Sequence, residues 1–491
     1  MTCQHIRDGI NMKSKYKKLF SNTAIFTAGK FISKLIVIFM LPLYTSCLTS
    51  AEYSTADLIT NLCNLIIPIA CLGVSEGIFR GAAEKETDKE KFFTNGTVIM
   101  FIGSLVFLIL SPLLTLSSYF SRYMWLIVIY VLSSNIHSVC SQYVCATGNS
   151  KLFAGQGVFN TALTVLLNIL FLVFLHMGIE GYVLSVAIAD LSSALLLFFV
   201  ARLYKSFIPE KISKKVIKDL MKFCLPLIPS TVFWWITGVS DRYLVAYICS
   251  DEINGLYSVA YKIPTLLTYV VIIFNDAWKL SAIAESGDKT ECADFYSKVF
   301  RYYQAIMFMG GAFIAVLAPV FAKILFADSY YMAWIYVPIL SAATVFTALD
   351  TFLGSAYFTV KRTGMSLITA LIGALLNIIL NLVMIPWWGA MGASVATFIS
   401  YFAVFIIRAI TMHRFISFKI YPIKLTINTL LICACATLIT LIENKACGIA
   451  LASVVAVVCL VYNGRDIYLG FREAIFSLKS RRKSGNEKIS E

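Results

Sequence analysis

Residues 161–187 read TALTVLLNILFLVFLHMGIEGYVLSVA, and the same landmarks return at 369–396 as TALIGALLNIILNLVMIPWWGAMGASVA. Each stretch is a long apolar run interrupted once by a glycine pair, GxxG. Each therefore reads as the end of one membrane span, a turn, and the start of the next. TAL, LLN, GxxG and SVA recur in that order, roughly 210 residues apart with small gaps, which is the mark of a duplicated unit. A fainter match sets LTSAEYSTADL (48–58) beside CSDEINGLYSVA (249–260).

Working outward, apolar runs of similar length fill the chain. Of its 491 residues 59% are hydrophobic and 14% charged, and the mean hydropathy is +0.80. A water-soluble protein needs a larger charged fraction to cover its surface, so the expected fold is an all-α polytopic membrane protein. Spans are placed at 22–46, 54–78, 93–118, 123–147, 153–175, 180–201, 223–248, 253–278, 302–322, 331–357, 364–385, 390–407, 425–442 and 446–463, about fourteen in all, each long enough for a ~30 Å hydrocarbon core. Pro42, Pro68, Pro112, Pro226, Pro229, Pro264, Pro319 and Pro338 fall in or at the ends of spans, where helix breaks are expected.

The net charge of +14 suggests nucleic acid until the basic residues are placed. Arg7, Lys13, Lys15, Lys17 and Lys18 lie before the first span. The alternate gaps and the C-terminal tail hold groups such as Arg80/Lys85/Lys89/Lys91, Lys211/Lys214/Lys215/Lys218 and Lys479/Arg481/Arg482/Lys483. Only Arg122, Lys323 and Lys445 fall on the other side. Cytoplasmic loops carry the excess of Lys and Arg, so both termini are expected inside and the span number even. The charge is then a topology signal with some attraction to anionic lipid, and no nucleic-acid partner is expected. The first apolar stretch carries Lys30 and Lys34 and lacks a small-residue cleavage site, so it reads as a span and not a cleaved signal.

The expected division is a cytoplasmic tail (1–21), a first lobe of six spans (22–203), a cytoplasmic amphipathic linker (204–222), a second lobe of six spans (223–415), a last pair of spans (416–463) and a basic cytoplasmic tail (464–491). The linker KSFIPEKISKKVIKDLMKF alternates Ile212, Val216 and Leu220 with lysines, the pattern of a helix lying on the inner leaflet. Lobes of even span number share one orientation, so the repeat is of the parallel kind.

Enzyme chemistry is poorly supplied. The histidines His5, His137, His176 and His413 are scattered, and no phosphate-binding glycine loop, HExxH or GxSxG is present. The 13 cysteines lie mostly in spans with no CxxC pair, as at Cys63, Cys71, Cys433 and Cys435. No catalytic residue, metal or cofactor is expected.

A charge at the bilayer centre costs roughly 3 kcal/mol on insertion scales, so each buried one needs a use or a partner. Lys30 and Lys34 lie one turn apart in the first span, Asp57 and Asn61 share a face of the second, and Lys262 stands in the eighth beside Ser258 and Thr265. With Asp241 and Arg242 they are read as candidates for a polar, basic-walled cavity. Lys30 lies near the inner end of its span and can also snorkel. Asp241 and Arg242 can also be an edge pair. Asp190, central and without a basic neighbour in sequence, is the foremost candidate for ion coupling, with Asp276 and Asp350 behind it. Glu76 and Arg80, spaced i, i+4, read as a structural pair. His137, in SSNIHSVCSQ, reads as cavity lining.

Two stretches carry a resemblance. NTAIFTAGKFISKLIVIFMLPLYTSCLTSAEYSTADL (22–58) and PLIPSTVFWWITGVSDRYLVAYICSDEINGLYSVAYKIP (226–264), with SDR, GLYS and AYKIP, resemble bacterial polysaccharide-biosynthesis or O-antigen flippases of the Wzx type. These are members of the multidrug/oligosaccharidyl-lipid/polysaccharide exporter superfamily. The resemblance covers roughly residues 20–465. It implies a V-shaped fold of two six-helix lobes with two further C-terminal helices, in a bacterial inner membrane. The implied task is moving undecaprenyl-diphosphate-linked oligosaccharide, for O-antigen, capsule or related polysaccharide, to the outer leaflet. It also implies membrane lipid and polysaccharide polymerase machinery as partners. Related lipid II flippases are similar in using basic residues of the first and eighth spans to hold the diphosphate, and Lys30, Lys34 and Lys262 occupy those spans here. They are lysines where relatives often have arginine, which removes the bidentate fork. The rival readings are a cation-coupled multidrug antiporter of the same superfamily, a lipid II flippase and a membrane-embedded enzyme.

Overall fold

The computed structural model describes residues 36–84, 87–272, 274, 289–359, 363–415 and 418–487. Among the described residues the regular elements are helices and none is a strand. We label the principal ones α1 (Leu41–Cys47), α2 (Ser50–Ala70), α3 (Val74–Ala83), α4 (Lys89–Leu110), α5 (Met124–Ala146), α6 (Ser150–Asn168), α7 (Gly178–Val200), α8 (Lys214–Cys224), α9 (Leu227–Ile248), α10 (Asp251–Ala260), α11 (Lys289–Leu325), α12 (Val337–Thr359), α13 (Thr363–His413), α14 (Pro422–Leu441) and α15 (Lys445–Glu487).

Several helices begin where the sequence supplies an oxygen for their unpaired first amides. Thr49 and Glu52 cap α2 reciprocally, Glu52 N donating to Thr49 Oγ1 and Thr49 N to Glu52 Oε2. Asp88, Asn149 and Ser250 accept from Lys91 N, Leu152 N and Ile253 N to start α4, α6 and α10. The apolar side chains then divide by face. On α4, Phe101, Leu105 and Ile109 follow one another at i, i+4, i+8 and stay 58–69% exposed. So large an apolar outer face is intelligible only against lipid.

Eleven helices among the described residues are long and apolar enough to cross a membrane, or up to twelve if α2 and α3, bent by 56° at Pro68–Gly73, form one broken span. The α13 stretch from Gly364 to His413 counts once among them. At 1.5 Å per residue its 50 residues run to roughly 75 Å, more than twice a hydrocarbon core, and it breaks at Gly389. The expected fourteen takes α13 as two spans and adds a first span, 22–46, most of which lies outside the described residues.

The chain forms two compact units, 1–235 and 236–491. In the first, Val74, Ile78, Phe93, Val139, Tyr143 and Leu220 form one buried core, and Ile59, Cys63, Leu126, Val131, Val183 and Ala187 another. The division falls inside α9 and not at the linker end near residue 222. The reason is that the linker is tied to the first unit. Asn95 Nδ2 donates to Lys211 O and Asn95 Oδ1 accepts from Ser213 N; Thr94 Oγ1 donates to Ser206 O and accepts from Ile208 N. Lys211 Nζ lies 2.9 Å from Asp88 and 2.6 Å from Glu90. Trp235 Nε1 donates to Asn61 O on α2.

The second unit is built on aromatic packing of Phe300, Tyr303, Phe346, Phe352, Phe405 and Phe418, all nearly or fully buried. The last two helices belong to it. Asp466 on α15 bonds both Lys424 on α14 and Arg301 on α11, and Asn428 and Asn463 exchange amide hydrogen bonds. The stretch from 464 continues the last helix: α15 runs unbroken through Asp466, which is 2% exposed, to Glu487.

The repeated GxxG has a repeated geometry. Gly178 and Gly389 both stand at φ +58°, a region open to glycine. Three residues on, a methyl at Gly181 would meet the side chains of Phe171 and Met177 within 2.9 Å, and one at Gly392 would lie 2.2 Å from Met384 O. The first glycine turns the chain and the second lets the returning helix pass close to the one before it.

Candidate functional site

In the first unit three successive helices contribute polar side chains to one cluster. His137 on α5 has Nδ1 3.0 Å from Asp190 Oδ1 on α7. Its Nε2 lies 2.8 Å from Gln156 Oε1 on α6, and Gln156 Nε2 donates to Ser141 Oγ at 3.2 Å. Asp190 also accepts from Asn160 Nδ2 (2.8 Å) and Ser134 Oγ (2.5 Å). His137 and Asp190 keep 18% and 14% of their side-chain surface exposed, and Gln156 is buried. Sequence spacing left Asp190 without a basic neighbour; the fold supplies His137, 53 residues earlier. SSNIHSVCSQ was the available signal, since Ser134, His137 and Ser141 lie at i, i+3 and i+7, one helical face.

Also in the first unit, Asp57 is buried and Asn61 Nδ2 donates to its Oδ2 at 2.9 Å. The two therefore share the face expected of them. Glu76 and Arg80 are both exposed, and among the described residues no ion pair joins them. The expected structural pair is not made in this structure: the Arg80 guanidinium lies 4.4 Å over the ring of Phe223 on α8.

In the second unit Asp241 is the hub. It is fully buried, and Oδ2 accepts from Tyr257 (2.7 Å), Tyr261 (2.6 Å) and Thr397 (3.2 Å). Arg242 lies 4.5 Å over the Tyr261 ring. Both side chains are buried, and Tyr261 meets each of them, with its hydroxyl on Asp241 and its ring beneath the Arg242 guanidinium. Ser240 donates to Asn377 Oδ1, Asn381 Nδ2 donates to the same atom, and Asn377 Nδ2 reaches Thr397 Oγ1. Lys262, half-buried, stands in the turn after α10, its carbonyl accepting from Thr265 Oγ1. Asp350 is fully buried, 3.1 Å from Arg408 Nε. Arg408, which the span limit at 407 puts among the flanking basic residues, is a core residue at 1% exposure. Lys30, Lys34 and Asp276 lie outside the described residues.

A family model described as polysaccharide biosynthesis protein matches residues 19–278, more than half of the chain. The chain belongs to the polysaccharide biosynthesis protein family. Two uncharacterized membrane proteins of Methanocaldococcus jannaschii are similar to this family member. MJ1068 is 25% identical over 276 residues, 52% of this chain and 54% of its own, and MJ1375 is 22% identical over 262 residues, 50% and 61%. The chain spans about half the length of the curated relatives it matches. Solved structures share the fold at lower identity. The lipid II flippase MurJ in an inward closed conformation superposes with a TM-score of 0.65 at 15% identity, covering 92% of this chain and all of that one. An inward-facing multidrug-resistance MATE transporter of the MOP superfamily gives 0.63 at 14%, covering 78% and 98%. The polysaccharide biosynthesis protein described here is thus a multi-pass membrane protein with the fold of MOP-superfamily transporters.

Proposed function

We propose that the protein moves a polyprenyl-diphosphate-linked oligosaccharide, undecaprenyl-linked in a bacterial inner membrane, from the inner to the outer leaflet by alternating access. The observation that carries this reading is membership of a polysaccharide biosynthesis family on a fold shared with a lipid II flippase. The diphosphate carries negative charge that cannot cross hydrocarbon unaided. Lys30 and Lys34 of the first unit and Lys262 of the second are assigned to meet it through charge-assisted hydrogen bonds in place of its lost hydration, with Asp57, Asn61, Asp241 and Arg242 as further polar candidates. Lys262 suits the role in being half-buried at a helix break and not at a span end. No group in this reading does covalent chemistry.

The test is translocation in proteoliposomes carrying a fluorescent undecaprenyl-diphosphate oligosaccharide, scored by its accessibility to an added glycan-modifying enzyme. Protein-dependent movement is expected, and its loss in the Lys34→Gln/Lys262→Gln double variant. Full movement by that variant removes the head-group assignment. No movement of any lipid-linked glycan, with uptake of organic cations instead, replaces the flippase by a drug antiporter.

A further inference from the structure

We propose that His137, Asp190 and Gln156 form a proton-binding site within the first unit's membrane helices, where one proton enters and leaves at His137 Nε2. The hydrogen bonds define the loaded state. Nδ1 faces a carboxylate oxygen, which only accepts, so Nδ1 carries a hydrogen. Nε2 faces the amide oxygen of Gln156, which also only accepts, so Nε2 carries the other. With the amide in this orientation the ring is an imidazolium, and beside the Asp190 carboxylate the pair is net neutral.

The same atoms satisfy the unloaded state. Turning the Gln156 amide over exchanges its oxygen and nitrogen with no change of shape. Its N–H then donates to the bare Nε2. Ser141 Oγ, the acceptor in the first arrangement, donates its own hydrogen to the amide oxygen. Nδ1–H remains on Asp190, whose carboxylate keeps its donors on Ser134 and Asn160. Releasing one proton takes the site from neutral to minus one and orphans no polar atom. A buried imidazole needs a partner at Nε2 in either form, and a reversible amide is one that serves both protonation states.

Among the described residues, the Tyr130 phenol on α5 interacts electrostatically with Asp190 and with the Cys63 thiol on α2. The charged residues of the described helices packed around the His137–Asp190 pair, Glu52, Asp57, Glu76, Arg80, the 89–91 segment, Lys151 and Glu180, form no ion pair with either partner. Both His137 and Asp190 retain some exposed surface, so the proton is not sealed in. The site stands on this geometry; its use in driving transport rests on the proposed flippase reading.

The chain has 4 histidines, which makes a labelled-histidine experiment tractable. Full-length protein carrying 15N-histidine is reconstituted in lipid, and His137 is assigned by its loss in His137→Gln. Between pH 5 and 9, roughly two units either side of neutrality, Nε2 is expected to pass from protonated to bare while Nδ1 stays protonated. In Asp190→Asn the imidazolium form is expected to vanish from that range. A wild-type Nε2 held in one state throughout, or a titration unchanged in Asp190→Asn, overturns the proposal. In translocating vesicles, a one-unit pH gradient is expected to shift the steady-state leaflet ratio about tenfold for one coupled proton, and not in Asp190→Asn. A wild-type ratio indifferent to the gradient overturns coupling. If no substrate moves in any vesicle, the flippase reading falls while the spectra still decide the proton site.

Discussion

Arg408 and Asp350 place a full positive and a full negative charge where almost no surface is exposed, 1% and 0%. Desolvating both is costly, and the pair holds because Arg408 also donates from Nε to Thr369 Oγ1 and from Nη1 to Asp350 O. Gly354 leaves the room: a methyl there would lie 2.5 Å from Arg408 Nη1. Removing one partner strands the other charge, so Arg408→Met is expected to cost about 3–5 kcal/mol, whereas Arg408→Met/Asp350→Leu recovers most of it. Thermal unfolding of the detergent-solubilised protein measures both, and a double variant as unstable as the single one refutes the account. Asp350 and Asp190 were legible as charges in apolar sequence that needed partners. Their partners were not, because Arg408 lies 58 residues on and His137 53 residues back, and only packing brings them near.

The linker shows the same limit for an element. Its helix was legible in Ile212, Val216, Leu220 and the intervening lysines, and α8 forms at 214–224. Its attachment was not legible, because Asn95 and Asp88 look like ordinary loop-end polar residues until Lys211 and Ser213 arrive against them. Asn95→Ala removes the acceptor of Ser213 N–H and the donor to Lys211 O. Losing one buried hydrogen bond costs about 1–3 kcal/mol, so the Ser213 amide is expected to exchange roughly tenfold faster or more. Unchanged exchange would mean the backbone holds the linker unaided. The ion pair adds a pH dependence of known sign. Lys211 holds the Asp88 carboxyl below the usual carboxylate range by hydrogen bonding to it. A depressed folded value gives stability that is present above the unfolded value near 4 and lost as pH falls through the folded one. Linker exchange is therefore expected to be flat from pH 6 to 8 and to rise only below about 4, modestly, because both groups are exposed. A change near neutrality would assign the anchor to another group.

For the whole molecule, the repeat was legible because glycine positions are chemically forced. Gly178 and Gly389 share φ +58°, and no other residue type fills that role as freely. The extent of the last helix was harder to read, since Asn463 and Asp466 are polar and end the hydropathy signal while packing inward. Orientation remains the largest inference drawn from charge. Lysines crowd one side, and the few on the other need individual reasons. Lys445 has one: its Nζ donates to Thr440 O, at the C-terminal end of α14, where the helix presents unpaired carbonyls and partial negative charge. A lysine bound there has a local reason and leaves the expected inward excess of basic residues standing. Cys447, exposed and two residues on, reports that side directly. With the other native cysteines replaced, a membrane-impermeant maleimide is expected to label Cys447 in intact cells. A cysteine placed by Lys214→Cys on α8 should react only after the membrane is opened. Labelling of Lys214→Cys from outside, with Cys447 protected, would invert the topology and move every loop lysine to the far face. The head-group assignment at Lys34 and Lys262 would then have to receive its substrate from the opposite leaflet.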